Sequence, residues 1–147
     1  MISTLNKLLR QYIAGWWKSE RPINQLRCEI LRVCIDGGEQ DPGLFTLTAP
    51  TGSGKTISSL AFALNHAAVH GKDRIIYVIP YVSIIEQTAQ KFAEIFGEGQ
   101  VVAHYAAADP DSTDDDVTPA MQRNQLAAEN WDAPIIVTTF DARSIAV

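Results

Sequence analysis

The 147-residue sequence lacks three features that mark particular classes of protein. No apolar run is long enough to span a membrane, and the charged N-terminal segment is not typical of a signal peptide. The net charge is −5, so no global positive field attracts nucleic acid. Only two cysteines occur, Cys28 and Cys34, and their spacing on a predicted helix points them to different faces, so we expect no disulfide. These absences favour a soluble, cytoplasmic globular protein without a membrane partner.

Helical and strand patterns alternate along the chain. A short amphipathic helix is predicted to end near Gly15 and the Trp16–Trp17 pair, and a second helix to begin at Pro22 with an apolar face of Ile23, Leu26, Ile30 and Leu31. Apolar segments predict four strands, at residues 44–48, 74–79, 101–105 and 134–139, with a helix after each of the first three. Residues 74–79 are nearly all apolar, as expected for a strand buried on both faces. This order predicts an α/β fold with a mostly parallel sheet.

Residues 49–56, APTGSGKT, form what we call the glycine loop, between a predicted strand and a predicted helix. The pattern is that of a phosphate-binding loop, G-x-x-x-x-G-K-[ST], with Ala49 in place of the first glycine. Its glycines let backbone N–H groups converge on phosphate oxygens, and the helix that follows adds its positive dipole end. In this pattern Lys55 reaches the β- and γ-phosphates, and the Thr56 hydroxyl holds Mg²⁺. The loop therefore predicts binding of ATP and Mg²⁺ through Pro50, Thr51, Gly52, Ser53, Gly54, Lys55 and Thr56.

Three stretches together resemble one family. They are GLFTLTAPTGSGKTISSLAFALNHA, RIIYVIPYVSIIEQTAQKF and NWDAPIIVTT, which in order and spacing resemble the CRISPR-associated helicase-nuclease of type I systems, a superfamily 2 helicase. The resemblance implies a P-loop NTPase (RecA-like) fold that is incomplete. It divides the chain into an N-terminal helix and linker (1–21), part of the first RecA-like helicase domain (22–139) and a divergent tail (140–147).

The resemblance also implies site residues and partners. It assigns ATP and Mg²⁺ to the glycine loop, and it places Gln25 and Arg27 where the family contacts adenine; a solvated helix face is the alternative for these two. It assigns single-stranded DNA to Pro80, Tyr81, Ser83, Gln87, Thr138 and Thr139. The alternatives there are a capped helix start near Ser83 and plain β-propensity of the threonines. The implied partners are single-stranded DNA and a Cascade-type CRISPR complex.

The sequence does not show the acidic pair that such helicases use for ATP hydrolysis. Helicases of this kind hold Mg²⁺ and orient water with an Asp-Glu pair after an apolar strand, and the sequence has no Asp-Glu dipeptide. Residues 114–116 are three aspartates expected in a solvated loop, and Asp141 has no glutamate neighbour. His66 and His70 lie four apart on one helix face, but without a third ligand nearby an exposed face is the preferred interpretation. Catalytic residues are therefore left unassigned.

The second RecA-like domain and the nuclease domain of the family are also absent from the pattern, and the sequence departs from the family at about Phe140. We expect a truncated or frame-disrupted copy that binds ATP, cannot unwind DNA alone and self-associates through open sheet edges. Two alternatives stay open. One is a small standalone P-loop kinase or NTPase. The other is a non-catalytic interaction module or degraded remnant that docks through Trp16 and Trp17, unless those side chains pack on the domain itself.

Overall fold

The computed structural model describes residues 1–18, 20–104 and 132–139, and the chain divides into two compact units, Met1–Ile75 and Ile76–Val147. The helix predicted between the strands at 101–105 and 134–139 lies outside the described residues, as do the aspartates at 114–116 and 141. In the part of the chain that the structure describes, no helix combines the length and the hydropathy needed to cross a membrane.

Up to residue 74 the regular structure of the first unit consists of helices, and the third helix is central. The helices are α1 (Ile2–Ile13), α2 (Pro22–Gly37) and α3 (Lys55–Val69), with a 3₁₀ turn, Trp16–Lys18, between the first two. Both α1 and α2 pack against α3. In α1 the buried residues recur at helical spacing, as predicted, and are Ile2, Leu5, Leu9 and Ile13. Pro22 opens α2 as predicted, because its missing N–H costs nothing in the first turn.

A buried asparagine joins the three helices. Asn65 of α3 is 6% exposed, and its Oδ1 accepts hydrogen bonds from Asn6 Nδ2 and Arg10 Nη2 of α1, both at 3.2 Å. Its Nδ2 donates to the carbonyl oxygen of Ile35 in α2 at 2.8 Å. Since a buried amide needs such partners, this one side chain favours a single arrangement of α1 and α2 on α3.

The prediction of a strand at residues 44–48 was wrong. The backbone there is described but takes no strand assignment, and the described sheet contains other segments only. Leu44 is 97% exposed, and Phe45 and Leu47 are also exposed. A strand is stabilised by ladder hydrogen bonds to a neighbour, so an apolar β-forming sequence without such a neighbour stays irregular.

The predicted apolar face of α2 is shorter in the structure than in the sequence. Its buried residues are Leu31 and Cys34, in the second half of the helix. Ile23 and Leu26 in the first two turns are exposed, because the contact with α3 does not cover them. The apolar pattern thus located the helix but overestimated how much of it is covered.

The second unit carries a sheet with a helix packed against it. The strands are β1 (Ile75–Ile79, whose first residue closes the first unit), β2 (Val101–His104) and β3 (Ile135–Thr139), and the helix α4 is Val82–Phe96. The sheet order is β1–β3–β2, and β2 runs parallel to β3 with Val101 opposite Ile135. α4 packs against β2 and β3 through one apolar stripe, and the Phe92 ring meets the Tyr77 ring edge-on at 5.3 Å.

Burial differs between the central and the edge strand. β3 is buried at every position, which is typical of the centre of a parallel sheet. In β1 burial alternates, with Ile76 and Val78 about half exposed. The prediction that residues 74–79 are buried on both faces was therefore wrong, because β1 lies at an edge of the described sheet with one face open. The strands predicted near 101 and 134 are confirmed.

Candidate functional site

The glycine loop is an irregular turn that leads directly into α3. Gly52 and Gly54 have φ angles of +79° and +85°, which residues with a side chain rarely adopt. Gly54 is the N-cap of α3, and its carbonyl oxygen accepts the first helical hydrogen bonds, from Ile57 and Ser58. Within the described part of the chain, the N–H groups of Gly54, Lys55 and Thr56 donate to no acceptor. The loop therefore offers several free donors at the positive end of the helix dipole.

Two side chains of the glycine loop have the chemistry of a nucleotide site. Lys55 folds back over the loop, and its Nζ donates to the carbonyl oxygen of Ala49 at 2.9 Å. A phosphate oxygen is a stronger acceptor for an ammonium group than a neutral carbonyl is. Thr56 is partly buried, and its hydroxyl has no hydrogen bond to any described residue, so it is free to ligate a hard cation.

The burial of Ser53 is the least expected feature of the glycine loop. The residue is 1% exposed, and its Oγ finds no hydrogen-bond partner among the described residues. A buried hydroxyl without a partner costs about 1–3 kcal/mol. Because Ser53 lies between the two glycines with positive φ, a phosphate oxygen at this loop would relieve that cost. The loop thus fits the group that the sequence predicts for it.

Arg27 of α2 holds the glycine loop. Its Nε and Nη2 both donate to the carbonyl oxygen of Gly52, at 3.2 and 3.0 Å, and its Nη1 donates to Asn24 Oδ1. Its aliphatic stem also lies close to Gly54, where a Cβ would come within 3.4 Å of Arg27 Cγ. The sequence predicts Arg27 beside the adenine, and that role stays a prediction. What the geometry shows is that the guanidinium group positions the loop backbone through two hydrogen bonds to one carbonyl oxygen. No motif in the sequence predicts this contact.

Gln25 lies in an open groove of about 590 Å³. Trp16, Trp17, Pro22 and Leu26 also line this groove. Trp17 is 47% exposed, while the partly buried Trp16 meets the Tyr12 ring edge-on at 6.0 Å. The sequence left open whether the tryptophans pack on the domain or dock a partner. They form instead one wall of a groove that carries a side-chain amide, an arrangement suited to an aromatic ligand.

Four of the six predicted DNA-contacting residues are exposed around the start of α4, namely Pro80, Tyr81, Ser83 and Gln87. Tyr81 is 65% exposed and is the N-cap of α4, and no side chain caps this end, so the alternative of a serine cap is wrong. Ser83 and Gln87 are four residues apart and share a helix face. These four residues therefore all lie exposed within two turns of the start of α4.

Thr138 and Thr139 are placed differently. They are the last two residues of β3, within the predicted strand, and both are buried. Thr138 lies opposite His104 in the sheet register, and its Oγ1 is 3.3 Å from His104 Nδ1. Contact of these two side chains with DNA stays a prediction that their burial does not favour.

The remaining candidates are thiols, histidines and acids. Cys28 and Cys34 are free thiols, as predicted, and burial raises the pKa of both. His66 and His70 are partly buried and hydrogen-bonded rather than on a bare helix face. Over residues 1–18, 20–104 and 132–139 no three His, Cys, Asp or Glu side chains gather into a metal cluster.

Comparison with known proteins identifies the family. The family model for DEAD/DEAH box helicases matches residues 32–144. The CRISPR-associated nuclease/helicase Cas3 of Haloferax volcanii is 30% identical over an alignment of 171 residues, which covers 95% of this chain. The chain spans only 18% of the length of that relative. Together with the parallel strands and flanking helices, the match confirms the predicted α/β, RecA-like fold class. The chain belongs to the DEAD/DEAH box helicase family.

Proposed function

We propose that this chain is the ATP-binding portion of an ATP-dependent DNA helicase of CRISPR antiviral defence, and that its 147 residues bind ATP and Mg²⁺ without unwinding DNA on their own. The glycine loop carries this proposal. It combines two glycines with positive φ, free backbone donors at the start of α3 and a buried Ser53 hydroxyl that lacks a partner.

The glycine-loop residues divide the work of binding. Pro50 and Thr51 form the turn, in which the Ser53 N–H donates to the Pro50 carbonyl oxygen at 3.3 Å. Lys55 exchanges the Ala49 carbonyl oxygen for a phosphate oxygen, and the Ser53 hydroxyl gains the acceptor it lacks. Thr56 holds Mg²⁺, which neutralises the phosphate charge when bound.

The adenine is assigned to the groove beside Gln25. A side-chain amide can pair with the edge of adenine, and the tryptophan rings of the same groove offer faces for stacking. Arg27, two residues further along α2, keeps the phosphate loop in register through the Gly52 carbonyl oxygen.

Hydrolysis is not assigned to these residues. Phosphoryl transfer to water needs an acid to hold the metal and an acid to orient the water. The sequence contains no Asp-Glu dipeptide, and no acidic cluster replaces it among the described residues. We therefore expect binding with little or no turnover.

Single-stranded DNA is proposed as the polymer partner. The support is the exposed group around the start of α4, where Tyr81 can stack on a base and Ser83 and Gln87 can reach the backbone. A Cascade-type complex is proposed as a protein partner because of the resemblance to CRISPR-associated helicase-nucleases, and the cytoplasm is proposed as the location. Self-association is proposed at the open edge of β1.

The test measures ATP affinity by calorimetry for the wild type and for Lys55→Ala, with Lys72→Ala as the matched control because Lys72 is an exposed lysine of the same unit beyond the end of α3. Loss of the contact between ammonium and phosphate should weaken binding by about 10- to 100-fold, from about 1.5–3 kcal/mol for a hydrogen bond to a charged group. Lys72→Ala should bind ATP as the wild type does. Equal affinity of the Lys55 variant and the wild type would contradict the proposed site.

A second measurement follows phosphate release with and without single-stranded DNA. If DNA stimulates ATP turnover and Lys55→Ala abolishes it, the 147 residues do hydrolyse ATP. Transfer of phosphate to a small acceptor would favour the standalone kinase. Absence of ATP binding altogether would leave the interaction module or remnant.

A further inference from the structure

Two histidine rings lie side by side at the C-terminal end of α3, whereas the glycine loop lies at its start. His66 and His70 are one helical turn apart, and their ring centroids are 4.3 Å apart. Each ring is tied to the segment that follows α2. His66 Nδ1 is 3.1 Å from the carbonyl oxygen of Gly38, and His70 Nε2 is 2.8 Å from the carbonyl oxygen of Gln40.

These two contacts determine the tautomers of the neutral rings. A carbonyl oxygen only accepts hydrogen bonds, so the ring nitrogen that faces it must carry the proton. His66 is therefore protonated on Nδ1 and His70 on Nε2. The remaining nitrogens, Nε2 of His66 and Nδ1 of His70, hold their lone pairs, and they make no hydrogen bond to any described residue.

Aromatic packing holds the first of these rings in place. The Phe62 ring stacks on His66 at 5.5 Å with an interplanar angle of 9°, and Phe45 meets His66 edge-on at 5.7 Å. Gly38 permits the close approach that this needs, because a Cβ there would lie 3.0 Å from the backbone nitrogen of His66. The ring is thus oriented by stacking and by a hydrogen bond to backbone.

We propose that His66 and His70 form a two-histidine site for a divalent late first-row transition-metal ion such as Cu²⁺ or Zn²⁺, with solvent completing the coordination. Histidine ligands in metal sites usually donate their second N–H to a backbone carbonyl or a carboxylate, which is the arrangement of both rings here. Two nitrogens that share such an ion at ~2.1 Å lie roughly 3 Å apart, which rings with centroids 4.3 Å apart can reach. Imidazole suits these ions, with Cu²⁺ bound more tightly than Zn²⁺.

The site is separate from the predicted Mg²⁺ ligand. Thr56 offers a hydroxyl oxygen at the start of α3, whereas the histidines offer nitrogen ligands at its end. Hard Mg²⁺ prefers oxygen, so the two ions do not compete for one site. The histidine site therefore stands whether or not the glycine loop binds ATP.

The test uses the 147-residue chain without a polyhistidine tag, titrated with Cu²⁺ and followed by electron paramagnetic resonance. We expect one ion per chain, with nitrogen hyperfine splitting from two imidazoles, and a rise in melting temperature as the ion binds the folded state. The variants are His66→Gln and His70→Gln, each of which should lose one nitrogen from the spectrum and bind Cu²⁺ at least tenfold more weakly. His104→Gln is the matched control, since His104 is the third histidine of the chain and lies on β2. It should bind like the wild type.

Three results would overturn the proposal. They are a wild-type spectrum without two nitrogen ligands, unchanged affinity in both the His66 and the His70 variants, and loss of binding in the His104 variant alone. The nitrogen count of the wild type decides the matter even if a variant does not fold, which far-ultraviolet circular dichroism would reveal. A separate titration of the metal-free chain with Zn²⁺ tests the second ion: a rise in melting temperature would extend the site to Zn²⁺, whereas an unchanged melting temperature would restrict it to Cu²⁺ and overturn the Zn²⁺ part.

Discussion

Replacement of Asn65 by alanine should destabilise the first unit by about 2 kcal/mol, a sum built from its hydrogen bonds. The Ile35 carbonyl oxygen loses a donor at 2.8 Å but keeps the Gly38 N–H at 3.1 Å, so this contact is worth about 1.5 kcal/mol, the upper end for a net hydrogen bond. Asn6 and Arg10 lose an acceptor but lie closer to water, so each contact is worth about 0.5 kcal/mol. Alanine is the better helix former and offsets roughly 0.6 kcal/mol.

The assay is urea unfolding of the wild type and Asn65→Ala, followed by tryptophan fluorescence, because Trp16 and Trp17 belong to the first unit. A loss of 2 kcal/mol should also lower the melting temperature by roughly 5–10 °C for a chain of this size. Asn6→Ala is the graded control. It removes one partner of Asn65 and leaves the bond to Ile35, and the same gain in helix propensity offsets the lost contact, so stability should change by less than about 0.5 kcal/mol.

Equal effects of the two substitutions would refute the reasoning, because they would mean that the contact between Asn65 and Ile35 contributes nothing. A loss below about 1 kcal/mol for Asn65→Ala would do the same, since it would show that the Gly38 N–H satisfies the carbonyl oxygen without the amide of Asn65. The helices would then be held on α3 by apolar contacts alone.

The remaining predictions concern Arg27 and the thiols. Arg27→Ala should weaken ATP binding about tenfold in calorimetry, since two charge-assisted hydrogen bonds to the Gly52 carbonyl oxygen are lost, whereas Arg74→Ala, an exposed arginine of the same unit, should not; unchanged affinity of Arg27→Ala would exclude a positioning role. Iodoacetamide should label Cys28 before Cys34 in the native chain, because Cys34 is buried. Burial raises the pKa of both thiols, so labelling should speed up as the pH rises and more thiolate forms, and peptide mapping that finds equal native rates would contradict the packing around α2.

The elements that could be predicted from sequence are those with local causes. Pro22 and the apolar spacing place α2, and the glycine loop marks the start of α3. The positive φ angles of Gly52 and Gly54 follow from the curl that a phosphate loop requires. In each case the cause lies within a few residues, so the local sequence is sufficient to predict the element.

Contacts between distant residues could not be predicted in the same way. Arg27 is 25 residues from Gly52, and Asn65 is 30 residues from Ile35. Neither pair has a motif, because the hydrogen bonds depend on how α2 packs against α3. The failed strand at residues 44–48 has the same cause, since strand formation depends on a neighbour and not on the segment alone.

The support of the glycine loop changes what its binding should depend on. The sequence predicts a strand before the glycine loop and a helix after it. In the structure that strand is not formed, and the residues before the loop are exposed. What holds the loop in the described structure is α3 on one side and Arg27 of α2 on the other. Nucleotide affinity should therefore depend on the stability of the α2–α3 contact. Asn65→Ala, which removes the hydrogen bond to Ile35 of α2, should weaken ATP binding although Asn65 lies near the far end of α3.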